Sequence, residues 1–231
     1  MLGKRLSAVA DLVKPGEVVA DIGSDHALLP IYLIQNQIAE RVIIGELDDG
    51  PYRRAEKAVK ASSAWNKIEL RQGNGLQILD YGEVQRIILA GMGGDTIVEI
   101  LADNWEKAAS FRAYIFQPMS KGAVLRQHLA SQGWLVEEER LEEDKGRIFL
   151  LLTCRPDDRP YHLNDMECEI GTSILSADTE LKRRYIQKYI LEYRRISDNL
   201  LGSHLTSNKI LAHNYQDKIM RLEALLSASQ G

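Results

Sequence analysis

The sequence predicts an α/β fold with a mostly parallel sheet, closed by an antiparallel hairpin and followed by an all-helical appendage. Three patterns carry this expectation. From Val18 to about Arg155 short apolar runs alternate with helical periodicities. Such alternation with short loops implies right-handed crossovers and a mostly parallel sheet. After Gly133 the pattern turns into two long strand-like runs, and after Ala177 nothing reads as a strand.

Five runs read as buried strands: VVADIG (18–23), RVIIGEL (41–47), IELRQG (68–73), RIILAG (86–91) and AYIFQP (113–118). They are short, rich in β-branched residues and end in Gly, Pro or polar turns. Pro51 to Trp65 and Asp95 to Trp105 are apolar at i, i+3 and i+4 and read as helices, with Pro51 suited to a first turn. Trp134 to Cys154 reads as two strands joined near Asp144–Lys145–Gly146. A nucleotide-binding sheet closed by such a hairpin is the plan of the class I methyltransferases, a Rossmann-like fold, whereas a nicotinamide-dependent dehydrogenase more often continues with βαβ units.

Pro156 to Asp165 has the composition of a linker. It divides an expected nucleotide-binding domain, residues 1–155, from a helical domain, residues 156–231. In the latter Leu181, Tyr185, Ile186, Tyr189, Ile190, Tyr193 and Ile196 recur at helical spacing. Ile210, Leu211, Ile219, Leu222, Leu225 and Leu226 do so after a break at Gly202–Ser203. Two antiparallel helices, a coiled-coil-like hairpin, fit this pattern.

Composition narrows the function. The 231 residues are 45 % hydrophobic, too apolar for a disordered chain, yet no run reaches the ~20 residues that cross a bilayer. Charges interrupt the N-terminal apolar stretch, so no secretory signal is expected. Cys154 and Cys168 have neither zinc spacing nor a disulfide framework, so a metal-free cytoplasmic protein is expected. A net charge of −4 argues against a globally basic nucleic-acid binder but leaves room for a local basic patch.

Five strand ends carry candidate chemistry. After the first comes Asp21–Ile22–Gly23–Ser24–Asp25–His26, with one glycine and ionisable side chains where dinucleotide sites carry G-x-G-x-x-G. Such a loop repels a pyrophosphate and favours a cationic sulfonium and ammonium, the charges of S-adenosylmethionine (SAM). An ordinary turn with Asp25 capping the helix is the alternative. Glu46 ends the second strand, 25 positions after Asp21, where an acidic side chain can accept both ribose hydroxyls. Asn74, flanked by Gly73 and Gly75, can pair with an adenine edge. Gly91–Met92–Gly93–Gly94 offers a bare backbone platform after the fourth strand. Gln117 and Met119 close the fifth, where Gln117 can bond a base edge.

A basic run, Lys182, Arg183, Arg184, Lys188, Arg194 and Arg195, is interleaved with Tyr185, Tyr189 and Tyr193 and opposed only by Glu192. It suits phosphate contacts with stacking tyrosines. A solvated charged face over a tyrosine core is the alternative.

Taken in order, DIGSDHA (21–27), GEL (45–47) with DGPY (49–52), NGL (74–76), AGMGG (90–94) and QP (117–118) resemble the bacterial TrmK family, the tRNA (adenine(22)-N1)-methyltransferases. The resemblance runs from Lys4 to about Cys154. It implies a class I SAM-dependent fold, SAM as cofactor, tRNA as partner and methylation at N1 of adenine 22. It implies a SAM site of Asp21, Gly23, Ser24, Asp25, His26, Glu46, Asn74, Gly75, Gly91, Met92 and Gly93. Asp25, His26 and Gln117 are then the expected catalytic residues. Two positions depart from the family pattern: Leu28 stands where members usually have Tyr, and Met119 where they usually have Asn. Three rivals stay open: a methyltransferase of protein or small molecules, a nicotinamide-dependent oxidoreductase, and a non-catalytic RNA-binding protein. Oligomeric state is not fixed by the sequence.

Overall fold

In the computed structural model, residues 2–177, 179–202 and 204–228 are described. The chain divides into two compact units, Met1–Leu163 and Asn164–Gly231. The first contains α1 (Lys4–Ala10), β1 (Glu17–Ile22), α2 (Leu28–Gln35), β2 (Ala39–Glu46), α3 (Asp49–Lys60) and β3 (Ile68–Gln72). It continues through β4 (Arg86–Gly93), α4 (Gly94–Ala102), α5 (Trp105–Ala109), β5 (Ala113–Ser120), α6 (Gly122–Ser131), β6 (Trp134–Asp144) and β7 (Arg147–Pro156).

Among the described residues these strands form one seven-stranded sheet, ordered β3-β2-β1-β4-β5-β7-β6. β1 to β5 pair in parallel, while β7 runs antiparallel to both β5 and β6. The inner strands read as continuous apolar runs because helices cover both faces. Val42 to Ile44, Ile87 to Leu89 and Tyr114 to Phe116 are all shut off from solvent. The order reverses between β1 and β4, which opens a crevice at their carboxyl ends.

The hairpin turns on Lys145 and Gly146, at φ 50° and 75°. Two consecutive left-handed residues match the twist of the flanking strands. Trp134 anchors it, with its ring centroid 4.7 Å from Tyr114 and 5.8 Å from Trp105. Such aromatic pairs add about 0.5–1.5 kcal/mol beyond the area they bury. Arg126 of α6 donates to Glu139 of β6 at 2.5 Å, and both side chains are buried. Truncating either one leaves an uncompensated charge, at a cost of about 3–5 kcal/mol.

The expected boundary after Arg155 falls instead after Leu163. The linker folds back, with the Asp157 N–H donating to Gly133 O and the Tyr161 N–H to Ala130 O, each at 3.1 Å.

The second unit has α7 (Asp165–Ile170), α8 (Thr172–Ser176), α9 (Glu180–Leu201) and α10 (Thr206–Ala228). Asn164 and Glu167 form a capping box that starts α7, and Thr179 caps α9 by accepting from the Lys182 N–H. α9 and α10 lie antiparallel, as the Arg194–Glu223, Tyr193–Tyr215 and Ser197–Ala212 contacts show. Of the break expected at Gly202–Ser203, Gly202 caps α9 and Ser203 lies outside the described residues. Helical spacing puts Ile210 and Leu211 in the core, but both are exposed. The buried stripe of α10 keeps the expected Ile219 and Leu222 and is completed by Ala212, one face at helical spacing. Among the described residues no helix is long and apolar enough to cross a membrane.

Candidate active site

Parallel strands end their carboxyl edges together, so residues far apart in sequence meet there. Gly23 turns the chain out of β1 at φ 78°, a left-handed backbone that strains any side chain. A Cβ at that position would also lie 2.2 Å from Met92 Cε and force the methionine away from the β4 end. Asp25 and Ala27 follow at φ 50° and 53°, which winds the loop tightly before α2. Asp25 does not cap that helix. Ala27 is the N-cap, without a side-chain bond, while Asp25 Oδ1 accepts from Arg54 Nε at 2.7 Å. His26 Nε2 lies 3.4 Å from Asp25 Oδ2.

The Asp25 backbone N–H donates to Glu46 Oε1, which ties the first loop to the end of β2. Glu46 is buried, and burial raises its pKa above the ordinary carboxylate value. Asp21 is also buried. Its pKa is pushed up to about 6, chiefly by burial and further by Glu46, while the Ser24 hydroxyl and the Arg5 charge oppose the shift. Among the described residues neither carboxylate closes an ion pair with a cation. Buried acids left in this state carry a desolvation cost that a cationic or hydroxyl-bearing ligand relieves.

A cavity of about 450 Å³ opens here, within the range of small-molecule sites. Gly23, Glu46, Asn74, Gly75 and Met92 line it, so the ends of β1, β2, β3 and β4 converge on one space. Asp21, Ser24, Asp25, His26, Gly91 and Gly93, expected in the same site, are outside its lining. Its far wall is α4, through Thr96, Glu99 and Ile100, with Asp103 just beyond. No sequence motif marks these four. Their one signal is the position of α4 directly after the glycine platform.

Gln117 differs from its expected role. It is fully buried; its Oε1 accepts from Arg5 Nη1 at 2.5 Å, and its Nε2 donates to Pro118 O and to Met119 Sδ. Both ends of the amide are engaged inside the protein, so no donor is left for a base edge. Leu28 and Met119 are exposed apolar side chains.

In the helical unit the basic run splits by helical phase. Lys182 is buried, its Nζ donating to Leu175 O and Ala177 O at 2.6 and 2.7 Å, so it is not a phosphate contact. Arg194 is exposed and pairs with Glu223. Lys188 and Arg195 are exposed, and Arg183 and Arg184 are half-buried. The tyrosines pack on each other and on α10, with centroids 5.0 Å apart for Tyr185–Tyr189, 5.6 Å for Tyr189–Tyr193 and 5.2 Å for Tyr193–Tyr215. They are core rather than a stacking platform.

Residues 2–152 match the family described as Methyltransferase domain. A tRNA (adenine(22)-N(1))-methyltransferase of Bacillus subtilis is 37 % identical over 170 residues, covering 74 % of this chain and 71 % of the relative. The chain belongs to the TrmK family. The crystal structure of the B. subtilis family member, the M1A22 tRNA methyltransferase TrmK, superposes with a TM-score of 0.87 at 28 % identity, covering 98 % of this chain and 99 % of that one. TrmK of M. capricolum, solved with S-adenosyl-homocysteine, gives 0.82 at 26 % identity, covering 98 % of each chain.

Proposed function

We propose that this chain transfers the methyl group of SAM to N1 of an adenine in tRNA, adenine 22 by its family. The observation that carries this reading is the pair of buried carboxylates, Asp21 and Glu46, beside a single-glycine loop and a cavity at the sheet's reversal point. The residues fit SAM. Negative charge suits a cationic cofactor, and no G-x-G-x-x-G loop follows β1 to cradle a pyrophosphate. Glu46 would hold the ribose hydroxyls and Asn74 the adenine, with Met92 and the backbone at Gly23 and Gly75 as walls. Asp21 would face the cationic end.

When bound, SAM supplies an electrophilic methyl carbon. Neutral adenine N1 carries a lone pair, so no side chain has to remove a proton before it attacks. The protein's work is therefore placement, holding N1 in line with the carbon–sulfur bond that breaks. The product base is cationic, and Asp25 is the nearby carboxylate that stabilises charge as it develops. The target base must leave the tRNA stack to reach the crevice. Lys188 and Arg195, with Arg183 and Arg184, would supply phosphate contacts from the helical unit. A tRNA substrate supports the expected cytoplasmic location.

Mass spectrometry of tRNA incubated with protein and SAM tests the reading: N1-methyladenosine at position 22 is expected. Unmodified tRNA, with SAM binding intact, overturns the substrate assignment.

A further inference from the structure

Gln117 and Gly91 both point to a residue that no sequence motif marks. Arg5, in the first turn of α1, reaches the carboxyl edge of β4 and β5 from 112 positions away. Its backbone N–H is held by Asp144 Oδ2 at 3.1 Å, and its guanidinium lies 5.8 Å from the centroid of the Phe149 ring. Gln117 accepts from one Nη1 proton. A guanidinium has five N–H donors, and among the described residues no other acceptor is bonded to this one. Asp21 and Asp144 attract it without closing an ion pair. Where Met92 lines the cofactor cavity, its neighbour Gly91 is exposed and borders Arg5: a Cβ on Gly91 would lie 3.7 Å from Nη1.

We propose that Arg5 grips a phosphate adjoining the target adenine when the base enters the crevice, and that Gln117 is the positioning residue that aims it. The inference rests on the tRNA-methylating reading above. A planar fork suits phosphate oxygens, and a side chain already fixed by Gln117 and Phe149 loses little freedom when it binds them. Gly91 leaves the approach open, and the buried Gln117 amide acts through Arg5 rather than on the base.

The test uses the full chain with Arg5→Ala and Arg5→Lys. KM for tRNA should rise about 10- to 100-fold in Arg5→Ala and less in Arg5→Lys, with S-adenosylhomocysteine affinity close to wild type. Arg5→Ala should also melt somewhat lower, because the buried Gln117 Oε1 loses its donor, and Arg5→Lys less so. The log–log salt slope of tRNA binding should become shallower by about 0.7–0.9, one phosphate contact. A tRNA with single methylphosphonates flanking adenine 22 should lose the same factor with wild type and nothing further with Arg5→Ala. Independent, additive losses overturn the proposal, as does a fall in S-adenosylhomocysteine affinity that matches the loss of methylation. Wild-type protein that binds S-adenosylhomocysteine but methylates no tRNA overturns the functional reading itself, and this one with it.

Discussion

The sheet edge and the helical hairpin treat buried charge in opposite ways. At the sheet edge Asp21 and Glu46 are buried with no cation paired to them among the described residues, and burial raises both pKa values. In the helical unit the buried Glu169 of α7 accepts from the hairpin's Tyr193 hydroxyl and from Lys218, and the buried Lys182 of α9 donates to two carbonyls. A buried charge held by partners that offset its burial is architecture, whereas one whose few hydrogen bonds leave desolvation dominant stores free energy that a ligand can release. The difference separates a place that binds from a place that holds.

Removing the sheet-edge acids should therefore cost binding more than folding. Glu46→Ala should weaken S-adenosylhomocysteine binding by about 1.5–3 kcal/mol for each hydrogen bond removed, since the acceptor is charged. Calorimetry showing unchanged affinity would remove Glu46 from the ribose site.

Asp21 sharpens the contrast through pH. Its folded pKa, about 6, lies above the ordinary 3.8, so the native carboxyl holds its proton more tightly than the unfolded one. Its contribution is nil below about pH 4 and grows into a cost as pH rises, complete above about pH 6. The cost is about 3 kcal/mol. Asp21→Asn should then be more stable than wild type at pH 7.5 and equal to it near pH 4, while binding SAM less well. Denaturant melts at both pH values decide this, and equal stability throughout contradicts the burial argument.

In the hairpin the order of effects reverses. Lys182→Ala should lower stability by about 1.5–3 kcal/mol, because two carbonyls lose a charged donor. It should leave the salt slope of tRNA binding alone. Lys188→Ala with Arg195→Ala should do the opposite, flattening the slope by about 0.7–0.9 for each phosphate no longer neutralised and leaving melting unchanged. If Lys182→Ala alone flattens the slope, the assignment of its side chain to the interior is wrong.

At Asp25 only a small effect on folding is expected. Its pair with Arg54 is half-exposed, worth about 0–1 kcal/mol, and Asn tolerates the same left-handed backbone. Asp25→Asn should fold normally yet slow single-turnover methylation. An unchanged single-turnover rate takes Asp25 out of the reaction.

Much of the sheet edge was legible in sequence for a physical reason. Strands formed where β-branched runs end in glycine, and strand ends in a parallel sheet converge, so Gly23, Glu46, Asn74 and Met92 met as expected. What escaped depends on contacts that no local pattern records. Arg5 meets Gln117 from 112 positions away, and that contact engages the buried amide from inside the protein. In the hairpin the run of charges is linear but the helix is not, so Lys182 turned inward while Lys188 stayed outside. Helix α7 did leave a signal, the Asn164–Glu167 capping box, which composition alone had hidden within a linker.

The strand order also sets a timetable. Among the described residues β6 pairs with β7 alone, and β7, made last, is the strand that joins it to β5. During synthesis at roughly 5–20 residues per second, β6 is complete at Asp144 and waits about 0.6–2.4 seconds without a partner until Pro156 is in place. In that interval β5 is an open edge carrying Tyr114, Ile115 and Phe116. The acidic stretch Glu137 to Glu139 with Glu142 to Asp144 would set like charges against one another in any pairing of this strand with its own copy, which disfavours self-association while the edge is open.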